Sequence, residues 1–497
     1  MARVKTLLRR VLFLTLTVAL CLTAVSTPAW AAENRLVVPA QQLMTSGNKV
    51  VLASNPTQMV WLTGLNIGGS NWMRQLNDSD ERIAAQITQM IEHWNVNCVR
   101  FPVSLAGWND AIRWWNWDNG SNGQYKRDVQ RHIKRLTDAG IYVILDLHEF
   151  HYPTERASYR AGAPHNNYPN TPNYFEFPGA LPFWQEIAQD PFYANNPAIL
   201  FGVFNEYTYE TGDKYESWDI WRNGGVHSNG DVIIGHQQIV EAIRDLGAMN
   251  IILAGGLDWG YDLSGVAGVA EGCEGISFAL EDKGTGAGGY AAAGYGIVYD
   301  THIYPWKDEA HWDYFAGAAR KQYPLLIGEN GYDPNDGTQR QYAPQWTADR
   351  HREWVPMFFD WVNDTDGVYG TPAHWTGWCF HTGASPRILL NWDFVPTEYW
   401  GVYVKEQLLA RDNAYITIPH PKTVVEAIPS AYVTQFPGNQ NDLTITVKAS
   451  YFDLTKEVLT KTFRINNNAA GTYAVGNIKV YVDTKGNTQI RACYIVN

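Results

Sequence analysis

Residues 196–207 read NPAILFGVFNEY, an apolar run that ends abruptly in an amide and a carboxylate. A short apolar run that follows Asn-Pro is typical of a strand buried on both faces, as in a parallel sheet covered by crossover helices. Asn205 and Glu206 then fall at the C-terminal end of that strand. The same two residues would also suit the first turn of a following helix, so this stretch alone leaves a structural interpretation open.

A second stretch has the same design, because residues 323–329 read YPLLIGE and end on Glu329. In a parallel barrel the C-terminal strand ends form the face where chemistry takes place. Carboxylates at two strand ends therefore favour catalysis over helix capping, and they suggest one acid and one nucleophile.

Apolar strands alternate with amphipathic helices along residues 60–409, which predicts an α/β fold, a closed (β/α)8 TIM barrel. The predicted strands cover residues 60–66, 97–102, 141–148, 196–207, 250–255, 296–302, 323–329 and 373–380. The predicted helices cover residues 78–94, 125–139, 183–189, 234–246, 309–321, 348–362 and 397–409. A β-hairpin in residues 35–54 is expected to plug the bottom of the barrel, whereas the Gly-rich residues 263–296 predict no helix.

Both ends of the chain differ from this pattern. Residues 1–31 combine four basic residues, an apolar run and Ala29-Trp30-Ala31, which is typical of a secretory signal peptide. The alternative, a membrane anchor, is disfavoured because the apolar run is shorter than the roughly 20 residues of a span.

Residues 412–497 alternate apolar and polar positions and predict a small antiparallel β-sandwich. We therefore predict a signal peptide (1–31), a catalytic barrel with its hairpin (32–411) and an accessory domain (412–497) that contains no Trp and docks against the barrel without anchoring polymer.

The composition limits the kinds of molecule that the protein is expected to bind. The chain carries 38 Lys and Arg against 50 Asp and Glu, and loss of residues 1–31 leaves 34 against 50, a formal charge of -16. Such a protein is poorly suited to nucleic acid or anionic lipid. Its 21 Trp residues offer flat faces that suit pyranose rings. The Cys residues lack metal-ligand spacing, and those in buried strands suit free thiols, so no disulfide is expected to be required.

The polar side chains at the predicted strand ends form a set that a glycosidase requires. They are Arg100, His148, Asn205, Glu206, His302, Tyr304, Glu329 and Trp378. Glycoside hydrolysis needs an uncharged acid for the leaving oxygen and an ionised carboxylate at the anomeric carbon. Cationic and phenolic donors keep the second carboxylate ionised.

The motifs that carry these residues resemble family-five glycoside hydrolases, the retaining (β/α)8 cellulase-type enzymes of clan A. The motifs are TGLN (63–66), VRFP (99–102), LDLH (145–148), FNE (204–206), YDTHIY (299–304), IGE (327–329) and TGW (376–378), and the resemblance covers residues 42–409. It implies that Glu206 is the acid/base and Glu329 the nucleophile. It also implies that Asn205 holds the sugar 2-hydroxyl, Arg100 and Tyr304 bond the nucleophile, His148 and His302 line the site, and Trp378 forms the floor where the bond breaks.

Other features carry weaker interpretations. The two glutamates are 123 residues apart, which is long for the family, and residues 263–296 account for most of the excess, so this insertion is expected beside the cleft. A metal site at His148 and His151 is disfavoured because the side chains face differently. Residues 333–337 are predicted to form a turn and not a calcium loop. Trp108, Trp114, Trp115 and Trp117 could be sugar platforms or loop packing.

The sequence therefore predicts a secreted, extracellular retaining hydrolase of β-linked polysaccharide, most simply an endo-β-1,4-glucanase. Mannan, xylan or xyloglucan fall within the same resemblance. A non-catalytic carbohydrate-binding protein and a metal-dependent hydrolase on the same barrel are the alternatives. We expect a monomer that needs no cofactor or metal and binds polysaccharide or oligosaccharide, not nucleic acid or, after signal cleavage, a membrane.

Overall fold

The structure, a computed structural model, describes residues 39–68, 79–109, 123–148, 179–226, 232–287 and 293–410. Within 164–178 it describes Pro164 and two short strands, and within 415–495 it describes the backbone of the strands. The predicted signal peptide lies outside the described residues. No helix among the described residues has the length and apolar character needed to cross a membrane.

Eight parallel strands close into a barrel in which each strand pairs with its neighbours in the chain. The strands are β1 (Thr63–Ile67), β2 (Cys98–Val103), β3 (Tyr142–Leu147), β4 (Ile199–Gly202), β5 (Ile252–Gly255), β6 (Ile297–Ile303), β7 (Leu325–Asn330) and β8 (His374–Phe380). Pairing of β8 with β1 closes the ring. The predicted α/β barrel is confirmed, and its strands are buried along their whole length, as their apolar sequences require.

Helices cover the outside of the barrel. The longer ones are α1 (Asp80–His93), α2 (Gln124–Asp138), α3 (Ala180–Gln189), α4 (Lys214–Asn223), α5 (His236–Asp245), α6 (His351–Asn363) and α7 (Gly401–Ala410). Single turns of helix form Leu105–Trp108, Ser264–Ala267 and Ala318–Arg320, and a six-residue helix forms Gly337–Tyr342. Ser79 caps α1, since its side chain accepts the N–H of Arg82. The predicted helix 309–321 is instead broken into a 3-10 turn (Glu309–His311), a π-helical turn (Asp313–Gly317) and Ala318–Arg320.

The connection between β5 and β6 differs from the expectation that it lies beside the cleft. Phe278 stacks on Trp218 of α4, and the backbone of Glu281 exchanges two hydrogen bonds with Gln237 of α5. Asp282 then accepts from Arg244, near the C-terminal end of α5, at 2.7 Å. Residues 264–287 thus run along the outer wall, past the helices, towards the start of β6, so this described part of the insertion packs on the helices and not beside the cleft.

The hairpin plugs the bottom of the barrel as predicted. Its strands, Leu43–Ser46 and Lys49–Leu52, turn at Gly47, and a third strand, Asn55–Val60, follows. Leu43, Val50 and Leu52 form one buried cluster with inward-facing residues at the start of the barrel strands, including Cys98 and Tyr142. The opposite end of the barrel, where the strands end, is therefore the one left for chemistry.

The C-terminal strands form two sheets. One sheet joins the hairpin strands to Tyr415–Thr417, Lys422–Ile428, Gln440–Ser450, Thr434–Phe436 and Lys456–Asn466. The other contains Gly471–Val475, Ile478–Asp483 and Gln489–Ile495. Tyr415–Thr417 pairs antiparallel with Asn55–Val60, so the chain returns after α7 to the sheet at the barrel bottom. The predicted strands are present, whereas their assembly as a separate β-sandwich domain stays a prediction.

Many of the aromatic residues that the structure describes serve the core, contrary to the emphasis on sugar binding. Tryptophans that are fully buried include Trp94, Trp184, Trp218, Trp221, Trp354, Trp375 and Trp400. Three of these indoles donate to carbonyl groups at or just beyond the strand ends, each at 2.9 Å. The pairs are Trp184 with Val203, Trp221 with Gly255, and Trp400 with Trp378. These indole anchors tie the outer layer to the C-terminal ends of β4, β5 and β8.

The structure describes some of the tryptophans, turn residues and cysteines whose roles the sequence left open. Trp108 is 3% exposed, packs against Phe183 and donates to Glu186, so it is loop packing. Trp114, Trp115, Trp117 and His151 lie outside the described residues. Asp333 accepts the N–H of Asn335 within a turn, as predicted for residues 333–337. Cys98 and Cys273 are free, buried thiols, and Cys379 is buried in β8.

Candidate active site

The eight predicted site residues lie at the C-terminal ends of six barrel strands. Arg100 comes from β2, His148 follows β3, Asn205 and Glu206 follow β4, His302 and Tyr304 come from the end of β6, and Glu329 and Trp378 lie in β7 and β8. Direct contacts connect all eight. The strand-end pattern therefore identified residues that the fold brings together from positions up to 278 residues apart.

Arg100 is the centre of this network and is 1% exposed. Its Nη1 lies 2.8 Å from Glu329 Oε1 and 3.1 Å from Asn66 Oδ1. Its Nη2 donates to Asn205 Oδ1 at 2.5 Å and lies 3.0 Å from Asp146 Oδ1. Because a guanidinium presents its donors in a rigid fork, these four acceptors fix both the position and the charge of Arg100.

Glu329 is buried and held in its ionised form. Tyr304 donates its hydroxyl to Glu329 Oε2 at 2.9 Å, while Arg100 binds Oε1. Burial alone would raise the pKa of Glu329, but the charges of His302, Arg100 and His148 and the Tyr304 hydrogen bond outweigh it and lower that pKa to about 2. Glu329 is thus a carboxylate whose oxygens are oriented by two donors.

Glu206 has a different environment. Among the described residues no Arg pairs with it, and its Oε1 lies 2.9 Å from His302 Nδ1. Burial raises the pKa of Glu206; the His302 hydrogen bond opposes that rise, and the Glu329 charge adds to it. One carboxylate oxygen of Glu206 lies within 4.8 Å of one of Glu329. Two facing carboxylates therefore have pKa values pushed in opposite directions, which is the arrangement that separates an acid from a nucleophile.

His148 and Trp378 form the opposite wall. The His148 ring lies parallel to Trp378, with 5.5 Å between centroids and 8° between planes. His148 Nδ1 lies 2.7 Å from Asp146 Oδ2 and 4.0 Å from Glu329 Oε1. Asp146 thus bridges His148 and Arg100 and fixes the ring on which Trp378 stacks.

Three residues of the network had no role in the sequence prediction, namely Asn66, Asp146 and Asp300. All three are buried and lie inside the motifs TGLN, LDLH and YDTHIY. Asp146 and Asp300 each stand two residues before a site histidine, and residues two apart on a strand face the same side. That spacing was the available signal, because it places both carboxylates under the histidines on the inner face of the barrel.

A turn with an exposed tryptophan bonds to the backbone of the residue that follows Glu206. Asp258, Trp259 and Gly260, which follow β5, all adopt positive φ angles of 51°, 61° and 76°. The N–H of Trp259 donates to Tyr207 O at 3.1 Å, and its side chain is 44% exposed. Lys307 holds this turn, since its Nζ lies 2.7 Å from Asp258 Oδ2. Non-Gly residues in this region cost about 1–3 kcal/mol each and cluster at functional sites.

Within the described part of the chain, the acidic and histidine side chains close enough to share a metal ion are Glu206, His302 and Glu329. Their ligand atoms already have partners, because Glu206 bonds His302, and Arg100 and Tyr304 bond Glu329. A metal cation would have to compete with the guanidinium for the same carboxylate. The donor set suits acid–base chemistry better than metal binding.

A parallel eight-stranded barrel with two facing carboxylates of opposite protonation preference defines a glycoside hydrolase site. The chain belongs to glycosyl hydrolase family 5, since the family model described as Cellulase matches residues 47–381. It is accordingly a glycoside hydrolase enzyme.

Solved structures are similar to this chain, and the first of them shares its fold. A β-glucanase from Saccharophagus degradans has a TM-score of 0.50 and 20% identity and covers 75% of this chain and 95% of its own; it has also been solved in complex with cellotetraose. An endocellulase from Pyrococcus horikoshii has a TM-score of 0.47 and 14% identity, with 76% and 100% of the two chains covered. A comparison with curated proteins finds no match.

Proposed function

We propose that this protein is a retaining glycoside hydrolase that cleaves β-glucan, most simply an endo-β-1,4-glucanase, with Glu206 as acid/base and Glu329 as nucleophile. The observation that carries the proposal is the pair of facing carboxylates: Glu329 is held ionised by Arg100 and Tyr304, and burial raises the pKa of Glu206. Retaining enzymes place these groups about 5–5.5 Å apart, and inverting enzymes about 6.5–9.5 Å apart. One oxygen of Glu206 lies within 4.8 Å of one oxygen of Glu329, which is compatible with the shorter, retaining separation.

The geometry suits a double displacement. Glu329 attacks the anomeric carbon as Glu206 gives its proton to the leaving oxygen, so one C–O bond forms while the glycosidic bond breaks. Glu206, now ionised, takes a proton from water, and that water displaces Glu329 to restore both groups. Arg100 and Tyr304 stay bonded to the nucleophile and fix its direction of attack.

The remaining residues bind the sugar. Asn205 Oδ1 is occupied by Arg100, which leaves its amide N–H groups for the sugar 2-hydroxyl. Trp378, stacked on His148, offers a flat floor, and His302 orients Glu206. These assignments follow the family resemblance, and the contacts of each residue are compatible with its role.

The substrate class rests on the family description as Cellulase and on the cellotetraose complex of the S. degradans β-glucanase. Trp259, whose backbone bonds to the residue after Glu206, is 44% exposed and offers an apolar face that a polymer could use. Mannan, xylan and xyloglucan present the same β-linkage chemistry and remain alternative substrates.

The stereochemical outcome tests the proposal. Proton NMR of the earliest products from a β-glucan oligosaccharide should show the β-anomer first, before mutarotation. Initial release of the α-anomer would contradict retention. Absence of turnover on a panel of polysaccharides and aryl β-glycosides would instead favour a carbohydrate-binding protein.

The pH dependence should change when Tyr304 is replaced by phenylalanine. The Tyr304 hydroxyl stabilises the ionised form of Glu329, so its loss should raise the pKa of Glu329 from about 2. A hydrogen bond to a charged group contributes about 1.5–3 kcal/mol, so the acidic limb of kcat/KM should move up by about one to two pH units.

The matched control for this variant is Tyr332→Phe. Tyr332 is a buried tyrosine whose hydroxyl donates to the Thr347 carbonyl outside the site. Its pH profile should match that of the wild type. An unshifted acidic limb in Tyr304→Phe would mean that Glu329 does not control that limb.

We also propose export after cleavage behind Ala31, followed by a barrel domain and an accessory β-sandwich from residue 412. The pairing of Tyr415–Thr417 with Asn55–Val60 supports docking of the accessory strands at the barrel bottom, away from the site. N-terminal sequencing of exported protein should begin at Ala32. A chain that ends at residue 411 should keep its substrate specificity and melt earlier than the full chain.

A further inference from the structure

Asp300 is a buried carboxylate that the mechanism above does not use. It lies in β6, two residues before His302, and is 6% exposed. Its Oδ1 accepts the N–H of Gly328 at 2.7 Å, and its Oδ2 lies 3.8 Å from His302 Nε2. Asp300 therefore stands between the strand that carries the nucleophile and the histidine that bonds the acid/base.

The contact with Gly328 holds the carboxylate in place. A Cβ atom on residue 328 would lie 2.4 Å from both carboxylate oxygens of Asp300, so only glycine admits this approach. Gly328 directly precedes Glu329 in β7. Because its Oδ1 is fixed to the backbone, Asp300 cannot turn its charge away from His302.

His302 needs a partner on this side. Its Nδ1 bonds Glu206, and among the described residues its Nε2 is buried without a hydrogen-bond partner. The acidic groups that face the ring are Asp300 near Nε2, and Glu206 and Glu329 near Nδ1, the latter at 3.8 Å. A carboxylate next to one ring nitrogen favours the forms of histidine that carry a proton there.

We propose that Asp300 is a positioning residue for the acid/base: it keeps a proton on His302 Nε2, so that Nδ1 is free to share the acidic proton of Glu206. This inference rests on the proposed function. The Nε2 proton is present in both the neutral and the cationic ring. The second proton lies in the contact between Nδ1 and Glu206, from which the leaving oxygen takes it.

The charges around the ring favour its protonated forms and therefore a proton on Nε2. Burial alone would lower the pKa of His302, but Glu329, Asp300 and Glu206 raise it to about 10. The opposite neutral tautomer would place its only proton on Nδ1 and donate it to an ionised Glu206. Such a Glu206 has no proton to give, so the tautomer decides whether the acid exists.

The variant Asp300→Asn tests the inference. The new amide oxygen would still accept from Gly328, and its N–H2, now on the side of Nε2, would favour the opposite tautomer. In the Ser-His-Asp triad the same exchange lowers kcat by about 10⁴-fold through the wrong tautomer. Here we expect hydrolysis of cellotetraose to fall by about 10²- to 10³-fold, the scale of general acid catalysis.

A purely structural defect would slow all substrates alike, so the dependence of the rate on the leaving group distinguishes it from a defect of the acid. A dinitrophenolate leaves without protonation, so 2,4-dinitrophenyl β-cellobioside should lose less than about tenfold in the same variant. Equal losses on both substrates would overturn the inference. The control is Thr301→Val, which removes the hydrogen bond from the next residue of β6 to Tyr261 O and should affect both substrates alike.

A second measurement is made on the wild type and does not depend on whether a variant at Asp300 folds. Nitrogen NMR of the wild type should show a protonated Nε2 for His302, assigned by the signals that disappear in His302→Gln. An unprotonated Nε2 would overturn the inference.

The inference and the proposed function fail in different ways. A wild type that hydrolyses neither substrate, or that inverts, contradicts the proposed function, and the NMR result still decides the Nε2 proton. A retaining wild type whose Asp300→Asn variant shows no leaving-group dependence contradicts the inference on Asp300 alone.

Discussion

Replacement of Glu329 by alanine is expected to abolish turnover on every substrate. The variant retains Arg100, Tyr304 and the acid Glu206 but has no group to form the glycosyl-enzyme, so kcat should fall by roughly 10⁵- to 10⁶-fold, as when other covalent nucleophiles are removed. Azide can enter the space left by the carboxylate and attack from the same face. The rescued product should be the α-glycosyl azide.

The control for this variant is Glu353→Ala, which removes an exposed glutamate of α6 paired with Arg350. It should keep wild-type activity. Because loss of Glu329 leaves buried Arg100 with Asp146 as its remaining carboxylate partner, the melting temperature must be measured alongside the kinetics. A folded Glu329→Ala enzyme that turns over, or that yields the β-azide, would contradict the assignment of the nucleophile.

Replacement of Glu206 by alanine should give a different pattern. Substrates with poor leaving groups need its proton and should lose about 10²- to 10⁴-fold, the usual contribution of general acid catalysis. An activated aryl glycoside should still form the glycosyl-enzyme on Glu329, which then accumulates because water lacks its base. Azide needs no base and should release the β-glycosyl azide from that intermediate.

The matched control is Glu210→Ala, four residues further along the same loop. Glu210 pairs with Lys214 at the surface, and its loss should leave activity on both substrate types unchanged. Rescue of Glu206→Ala as the α-azide would mean that the two glutamates have exchanged roles.

The sequence predicted the barrel and the strand-end positions of the eight candidate residues because both depend on local patterns, whereas the roles of those residues stay predictions. A buried parallel strand is a short apolar run, and its end is marked by the polar residue that follows, as in FNE at 204–206. Helix α4 was missed because its sequence, KYESWDIWRN, mixes charged and aromatic residues such as Trp218 and Trp221 without a clear apolar period. The prediction for residues 309–321 gave the position of a helical segment correctly but not its kind. Periodicity does not distinguish an α-helical turn from the π-helical turn at Asp313–Gly317.

What could not be predicted depends on contacts between distant segments. The path of residues 264–287 is set by Arg244, Gln237 and Trp218, which belong to two other helices. The burial of Trp184 and Trp400 is likewise decided by the carbonyls they meet, and composition alone assigned such residues to sugar binding. Asp300 carries no local sign of its partner, because Gly328 comes from the neighbouring strand.

The indole anchors have a consequence for how such an enzyme can evolve. Trp184, Trp221 and Trp400 donate hydrogen bonds to the ends of β4, β5 and β8 from the outside. The reacting groups are therefore held in place by the scaffold and not by the loops above them. The catalytic residues and the substrate specificity can then evolve independently of each other. Mutations in the loops can retarget the enzyme to another glycan while the carboxylates keep their spacing, whereas an exchange at one of these tryptophans would loosen the reacting groups without touching any sugar.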